Sequence, residues 1–258
     1  MYYRARFEPA GVGWPLLRGV MFWYIPIYVI TGFLGAGKTT ALNNLLNKRL
    51  LNKRLLNKRE AQDIQILVIQ FECGEADFRS KFHNCYVINF PKKALEEHSE
   101  QISEKMHSYL LDRRFGEIWI EWNSVTPFEQ LQTLILHPSL KNICRIEKVI
   151  HMADAKMLEG LLRIQGSGLS EQIASCDFMI LRNVRSDDDY YRLRQLIYNI
   201  NPGVKIYETK QAEDIYCQVY RQSPVNIIIN GFLGTMAKFS LVQFHKDSRN
   251  NKDQKPLV

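Results

Sequence analysis

The sequence predicts an α/β fold with a mostly parallel central sheet. Three observations carry that expectation: short β-branched apolar runs, apolarity at successive positions within those runs, and longer stretches of helical character between them. A strand apolar on both sides is suited to a sheet covered on both faces, and interleaved helices supply the crossovers that parallel strands require. In chain order, the strand Ile25–Ile30 leads into a helix from Lys38 to about Arg59. Strands follow at Ile64–Phe71 and Tyr86–Phe90, then a helix at Lys93–Leu111, a strand at Ile118–Ile120 and a helix at Pro127–Leu136. The chain continues with a strand at Val149–Met152, a helix at Ala155–Ile164, a strand at Phe178–Leu181, a helix at Asp187–Ile200 and a strand at Val204–Tyr207. Asp187, Asp188 and Asp189 suit the first turn of the last helix, where the macrodipole favours acids.

Length and composition bound the possibilities. The 258 residues allow one large domain or one and a half, and 46% hydrophobic with 24% charged residues is ordinary globular composition. Disordered, collagen-like and coiled-coil classes are excluded. The apolar run Met21–Ile30 contains Pro26 and is about half the roughly 20 residues a membrane-spanning helix needs. Arg4, Arg6 and Arg18 precede it, but no small-residue cleavage pattern follows, so a secretory signal is not expected. Five scattered cysteines, Cys73, Cys85, Cys144, Cys176 and Cys217, argue for reduced thiols in a cytoplasmic setting.

The net charge of +7 is concentrated at two places. Residues 45–59 read LLNKR three times; removing the four cations of two copies leaves +3. Dropping residues 1–20, with three Arg and one Glu, leaves +1, so no nucleic-acid groove is expected. On a helix a five-residue period advances about 500°, so each unit is turned by about 140° and the leucine pairs spread around the axis. The repeat is therefore read as a tandem expansion lengthening a solvated helix or its exit loop, with a membrane- or partner-touching arm as the alternative.

The chemistry centres on residues 25–40, Ile-Pro-Ile-Tyr-Val-Ile-Thr-Gly-Phe-Leu-Gly-Ala-Gly-Lys-Thr-Thr. Gly32, Gly37, Lys38 and Thr39 satisfy G-x-x-x-x-G-K-[ST] directly after a strand and at the start of a helix, the context the motif requires. Glycines let successive amides turn inward on a phosphate chain, reinforced by the positive end of the helix. The expected nucleotide-binding residues are Gly32, Gly35, Ala36, Gly37, Lys38, Thr39 and Thr40. Lys38 supplies a cation to the β- and γ-phosphates and the Thr39 hydroxyl a ligand to Mg²⁺. A three-layer P-loop NTPase sandwich follows. Glu121, closing Ile118-Trp119-Ile120-Glu121, is the expected Walker-B carboxylate beside Mg²⁺. Glu72 and Glu75, flanking Gly74, are candidates for a switch loop or plain loop acids.

With these residues in place, the chain resembles the CobW/HypB/UreG class of P-loop GTPases, its CobW-like branch in particular, over roughly residues 25–210. The glycine loop is similar almost letter for letter. Glu72-Cys73-Gly74-Glu75 resembles the branch's Asn-Glu-Phe-Gly-Glu switch element, and Ile120-Glu121 its Walker-B element. Met152-Ala153-Asp154-Ala155, Glu171-Gln172-Ile173 and Asn201-Pro202 resemble further landmarks. Trp119-Ile120-Glu121-Trp122-Asn123 and Thr126-Pro127-Phe128 resemble the permease-associated relatives. The resemblance implies slow GTP hydrolysis coupled to metal delivery or metalloenzyme assembly, with Lys38, Glu121 and Glu72 as catalytic residues. A metalloprotein client or a membrane permease is the implied partner.

The departures are as informative. The family's Cys-x-Cys-Cys metal cluster corresponds to Cys85-Tyr86-Val87-Ile88, and one thiol cannot hold Zn²⁺, so no internal transition-metal site is expected and Cys85 is at most its remnant. Cys73, His83 and Cys85 would form a substitute site if the loop folded back, but they match no standard zinc spacing, and a loop thiol, a surface imidazole and a strand cysteine is the favoured reading. The guanine-reading Asn-Lys-x-Asp element is replaced by Arg182-Asn183-Val184-Arg185; Asn183 is left to meet a purine edge, and GTP against ATP is not readable. Ser124 stands where the Walker-B glycine belongs, which weakens switching. Residues 230–238 echo the loop but carry Met236 and Ala237 at the places of Gly37 and Lys38, so they form no second phosphate site.

The expected organisation is an N-terminal extension or misassigned start at 1–20, a nucleotide-binding domain at 21–210 with the 45–59 repeat as an insertion, and a C-terminal segment at 211–258 that reads as a second domain cut short. The expected function is Mg²⁺-dependent binding and slow hydrolysis of GTP or ATP. The rival is a nucleotide-binding adaptor of a transporter or metalloprotein that hydrolyses little, and a small-molecule kinase is weaker because no arginine-rich lid is evident.

Overall fold

A computed structural model describes residues 24–56, 65–71, 84–113, 115–122, 126–165 and 167–220. Residues 1–20, Glu72, Cys73, Gly74, Glu75, His83, Ser124 and the echo at 230–238 lie outside the described residues. The elements run β1 (Ile25–Gly32), α1 (Lys38–Leu56), β2 (Gln65–Gln70), β3 (Cys85–Asn89), α2 (Lys92–Glu97), α3 (Ser99–Asp112), β4 (Phe115–Glu121) and α4 (Phe128–Ile135). They continue with β5 (Cys144–Asp154), α5 (Leu158–Gln165), α6 (Ser167–Ala174), β6 (Phe178–Arg182), α7 (Asp187–Ile200), β7 (Lys205–Glu208) and α8 (Ala212–Val219).

The seven strands form one sheet in the order β3-β2-β4-β1-β5-β6-β7. Every pairing among the described strands is parallel, so the expected mostly parallel sheet is wholly so here. Side-chain alternation sorts each strand between two cores. Ile27 and Val29, Ile118 and Ile120, and Met179 and Leu181 face the larger one, with Ile102, Met106, Leu131, Leu158, Ile173, Leu193 and Ile197 from the helices. Tyr28 and Ile30, Trp119, Phe178 and Ile180 face the other, under Leu42, Leu45, Leu46 and Leu50 of α1 and Ile215 and Val219 of α8. Two helical layers thus enclose the sheet, giving the expected three-layer sandwich.

The departures from the sequence reading have local causes. The helix expected over Lys93–Leu111 is two, because His98 leaves helical geometry (φ −142°, ψ 40°). Its amide still reaches Ala94 and its carbonyl still accepts from Ile102, so the apolar periodicity runs through the break. β5 is longer than Val149–Met152 because Arg145, Glu147 and Lys148 hide its first half, while backbone pairing with β1 extends it to Cys144. The helix expected at Ala155 starts at Leu158, after a turn, and α6 and α8 were not expected at all. Asp187–Asp189 do occupy the first turn of α7, whose cap is the Ser186 hydroxyl accepting from the Asp189 amide at 3.2 Å.

The repeat also differs from its expectation. Its first copy is docked rather than solvated: Leu45 and Leu46, with Leu50 of the second copy, are buried. Leu42, outside the repeat, begins that stripe, and positions 42, 45, 46, 49 and 50 fall on one side of α1 by helical spacing. Arg49 therefore faces the sheet, where it pairs with the buried Glu117 of β4 at 3.4 Å and lies over the Tyr220 ring at 4.2 Å.

Candidate nucleotide-binding site

β1 lies centrally, between β4 and β5, and the loop from Gly32 to Gly37 emerges from its carboxyl end, where ligands gather in open α/β sheets. The loop's shape depends on backbone that only glycine accepts readily. Gly32 sits at φ 131°, and a Cβ there would overlap the Met152 carbonyl of β5, so the strands could not approach as they do. Gly37 sits at φ 90° with the Arg182 side chain against it. Helix α1 starts at Lys38, its first amides being those a helix leaves for an anion.

Within this loop Lys38 is 5% exposed, and its ammonium donates to the carbonyls of Gly32 at 2.8 Å and Phe33 at 3.3 Å. Its neighbour Thr39 donates its hydroxyl to Glu121 Oε1 at 2.6 Å, across 82 residues of sequence. The parallel register of β1 and β4 places Glu121 opposite Ile30, one strand away from the loop. Thus the sequence-predicted hydroxyl and carboxylate meet. Both are hard oxygen donors, the kind Mg²⁺ takes, set beside a glycine cradle, so these residues suit a magnesium-bound polyphosphate. Ala36 is buried, Gly35 and Thr40 are exposed, and Glu72 lies outside the described residues.

Sequence reasoning overlooked several polar groups around this centre. Gln70, closing β2, is 4% exposed and donates Nε2 to Glu121 Oε2 at 2.7 Å, so both carboxylate oxygens are held. The only hint was a polar residue set between the apolar Ile69 and Phe71. The Thr31 hydroxyl donates to Gln172 Oε1 at 2.8 Å, and Gln172 Nε2 donates to the Thr126 carbonyl at 3.3 Å, which ties β1 and α6 to the segment before α4. His151, opposite Thr31 in the β1–β5 register, is 1% exposed. Burial, reinforced by the charge of Lys38, pushes its imidazole down to about 3, so it is neutral at physiological pH.

At the far side of the loop, Arg182 donates Nη1 to the Gly35 carbonyl at 3.2 Å. Asn183 follows in left-handed backbone (φ 56°), which asparagine tolerates, and its Nδ2 donates to Asp154 Oδ2 at 2.6 Å. The amide expected at a purine edge is thus engaged with β5. Among the described residues no three of His, Cys, Asp and Glu gather as a metal would need, and no disulfide joins Cys85, Cys144, Cys176 and Cys217. Burial pushes the thiols of Cys144 and Cys176 up to about 12.

Residues 26–208 match the family described as CobW/HypB/UreG, nucleotide-binding domain. The chain belongs to this family. The match runs from the second residue of β1 to the end of β7 and so takes in the glycine loop, Glu121 and Arg182. Among relatives, the chain is 29% identical over 197 residues to "Zinc-regulated GTPase metalloprotein activator 1" of Schizosaccharomyces pombe, covering 72% of this chain and 46% of that protein. It therefore spans about half the length of the curated relative it matches. Similar solved structures include the Zn(II)-bound YjiA GTPase from E. coli, with TM-score 0.47, 22% identity, and 71% of this chain and 57% of that one covered. HypB from Helicobacter pylori in complex with nickel has TM-score 0.48 and 12% identity, covering 76% and 86% respectively. In this CobW/HypB/UreG chain, β6 ends at Arg182, and Asn183, Val184 and Arg185 follow it.

Proposed function

We propose that this chain binds a Mg²⁺-nucleoside triphosphate, GTP by preference, and hydrolyses it slowly in the service of metal homeostasis or metallocofactor assembly. The observation that carries this reading is the Thr39–Glu121 contact at the mouth of the glycine loop. The amides of residues 32–39 would accept the phosphate chain, and the Lys38 ammonium, now on loop carbonyls, would turn to the β- and γ-phosphates. Thr39 and Glu121 would hold Mg²⁺, which when bound neutralises charge building on the phosphates. Gln70 keeps the Glu121 carboxylate oriented, and the His151 imidazole, neutral, adds no competing charge near Lys38. Membership of the CobW/HypB/UreG family and likeness to a protein named a metalloprotein activator support the metal-related role and a metalloprotein client. A cytoplasmic setting is part of the same reading, and no described helix is long and apolar enough to cross a membrane.

The test is single-turnover hydrolysis of Mg·GTP beside equilibrium binding. Lys38→Ala should abolish measurable affinity. Glu121→Gln should retain binding while slowing the chemical step by roughly 100-fold or more, the scale of losing one electrostatic contributor. Unchanged affinity in Lys38→Ala would defeat the assignment. Tight binding by the unmodified chain with no turnover would favour the adaptor role instead.

A further inference from the structure

The Thr39–Glu121 contact marks the side of β1 that the phosphate end of a bound nucleotide would meet. Thr39 and Glu121 stand on the β4 side of β1, so on the reading just proposed the metal-bearing phosphates lie there and the nucleoside extends toward β5 and β6. Arg182 closes β6 half-buried, held against the loop by its bond to the Gly35 carbonyl and lying beside Gly37. That bond uses one of five guanidinium donors, and no other hydrogen bond of this group occurs among the described residues.

Among the described residues, the carboxylate paired with Arg182 across the sheet is Asp154, and it is already engaged. Val184 and Arg185 follow Asn183, and Asp154 has one oxygen on the Asn183 amide at 2.6 Å and the other on the Lys156 backbone amide at 2.9 Å. A donor-only group discriminates by a different edge. Guanine presents two acceptors, O6 and N7, to a guanidinium, whereas adenine sets an N6 donor beside its N7. We infer that Arg182 is the specificity-determining residue for the nucleoside and that it selects guanine through O6 and N7 rather than through N1 and N2. This rests on the nucleotide-binding reading above.

The test is a panel of Mg²⁺-bound GTP, ITP, 7-deaza-GTP and ATP on the full chain by competition against a fluorescent nucleotide, with inorganic tripolyphosphate as a baseless probe of the loop. Inosine keeps O6 and N7 and lacks the N2 amino group, so ITP should bind within about 3-fold of GTP, while 7-deaza-GTP and ATP fall by about 5- to 150-fold, the range for one bidentate guanidinium–guanine contact. Arg182→Met should level GTP with ATP and leave tripolyphosphate affinity unchanged. Arg182→Lys should restore only part of the preference, since a point charge cannot make the bidentate pair. ITP falling to the level of ATP would overturn the inference, as would Arg182→Met keeping the GTP preference. Equal loss of all nucleotides and tripolyphosphate in Arg182→Met would also overturn it, because the arginine would then be a brace of the loop. Failure of the unmodified chain to bind any of the five compounds would remove the nucleotide reading itself, a result separable from the others.

Discussion

Gly32 and Gly35 stand in the same loop with positive φ, yet a methyl group at each would meet opposite surroundings. At Gly32 it would overlap the Met152 backbone carbonyl; at Gly35 it would meet open space within 4 Å. Backbone cannot yield as a flexible side chain can, so the two substitutions separate strain from collision. Gly35→Ala should cost about 1–2 kcal/mol, the usual figure for an alanine in left-handed backbone. Gly32→Ala should cost clearly more and also disturb the β1–β5 pairing. Urea midpoints of the two variants check this, and equal shifts would contradict it. At this scale the sequence displayed the motif residues, because a phosphate loop is a local pattern. It hid Gln70, since nothing in a sequence says that a polar strand-end residue will lie within 2.7 Å of a carboxylate 51 positions away.

Helix α1 shows how an element's register settles what a repeat does. LLNKR units alone spread their leucines around the axis, but Leu42 fixes the starting angle, and from there Leu45, Leu46, Arg49 and Leu50 share the inward side. A cation on an inward stripe needs an anion, and Glu117 of β4 supplies it, itself 2% exposed. Arg49→Met should therefore destabilise, by at most about 3–5 kcal/mol, because it takes a cation from a buried carboxylate. Adding Glu117→Gln to Arg49→Met should recover a good part of that loss. Chemical denaturation of the single and double variants tests the pair, and strictly additive losses would show that the two groups do not stabilise each other. The aromatic neighbours Tyr28 and Tyr220 belong to the same arrangement, their hydroxyls pushed up above their ordinary range by burial first and then by Glu117.

For the whole molecule, His151 makes stability depend on pH with a definite sign. Its folded value of about 3 lies below the roughly 6.5 of an unfolded chain, so between those values the unfolded state holds a proton the folded state does not. Stability should accordingly be fully present above about pH 6.5 and decline on acidification, by at most about 1.4 kcal/mol per pH unit from this group. His151→Met should remove that contribution; a stability difference from the unmodified chain that stays constant between about pH 4.5 and 7.5 would refute it. Neither the burial of His151 nor its nearness to Lys38 was legible in the sequence, although the strand holding both His151 and Met152 was. By itself the sequence determined the α/β class, the first strand and its glycine loop, and the acids opening α7, because strand patterning, glycine spacing and helix dipoles act over a few neighbouring residues. Only the tertiary structure decided that Glu121 would meet Thr39, that Arg182 would reach the loop, and that Arg49 would turn inward. Those contacts join residues 68 (117 − 49) to 147 (182 − 35) positions apart, and their partners are set by parallel register and sheet order, which no local pattern encodes.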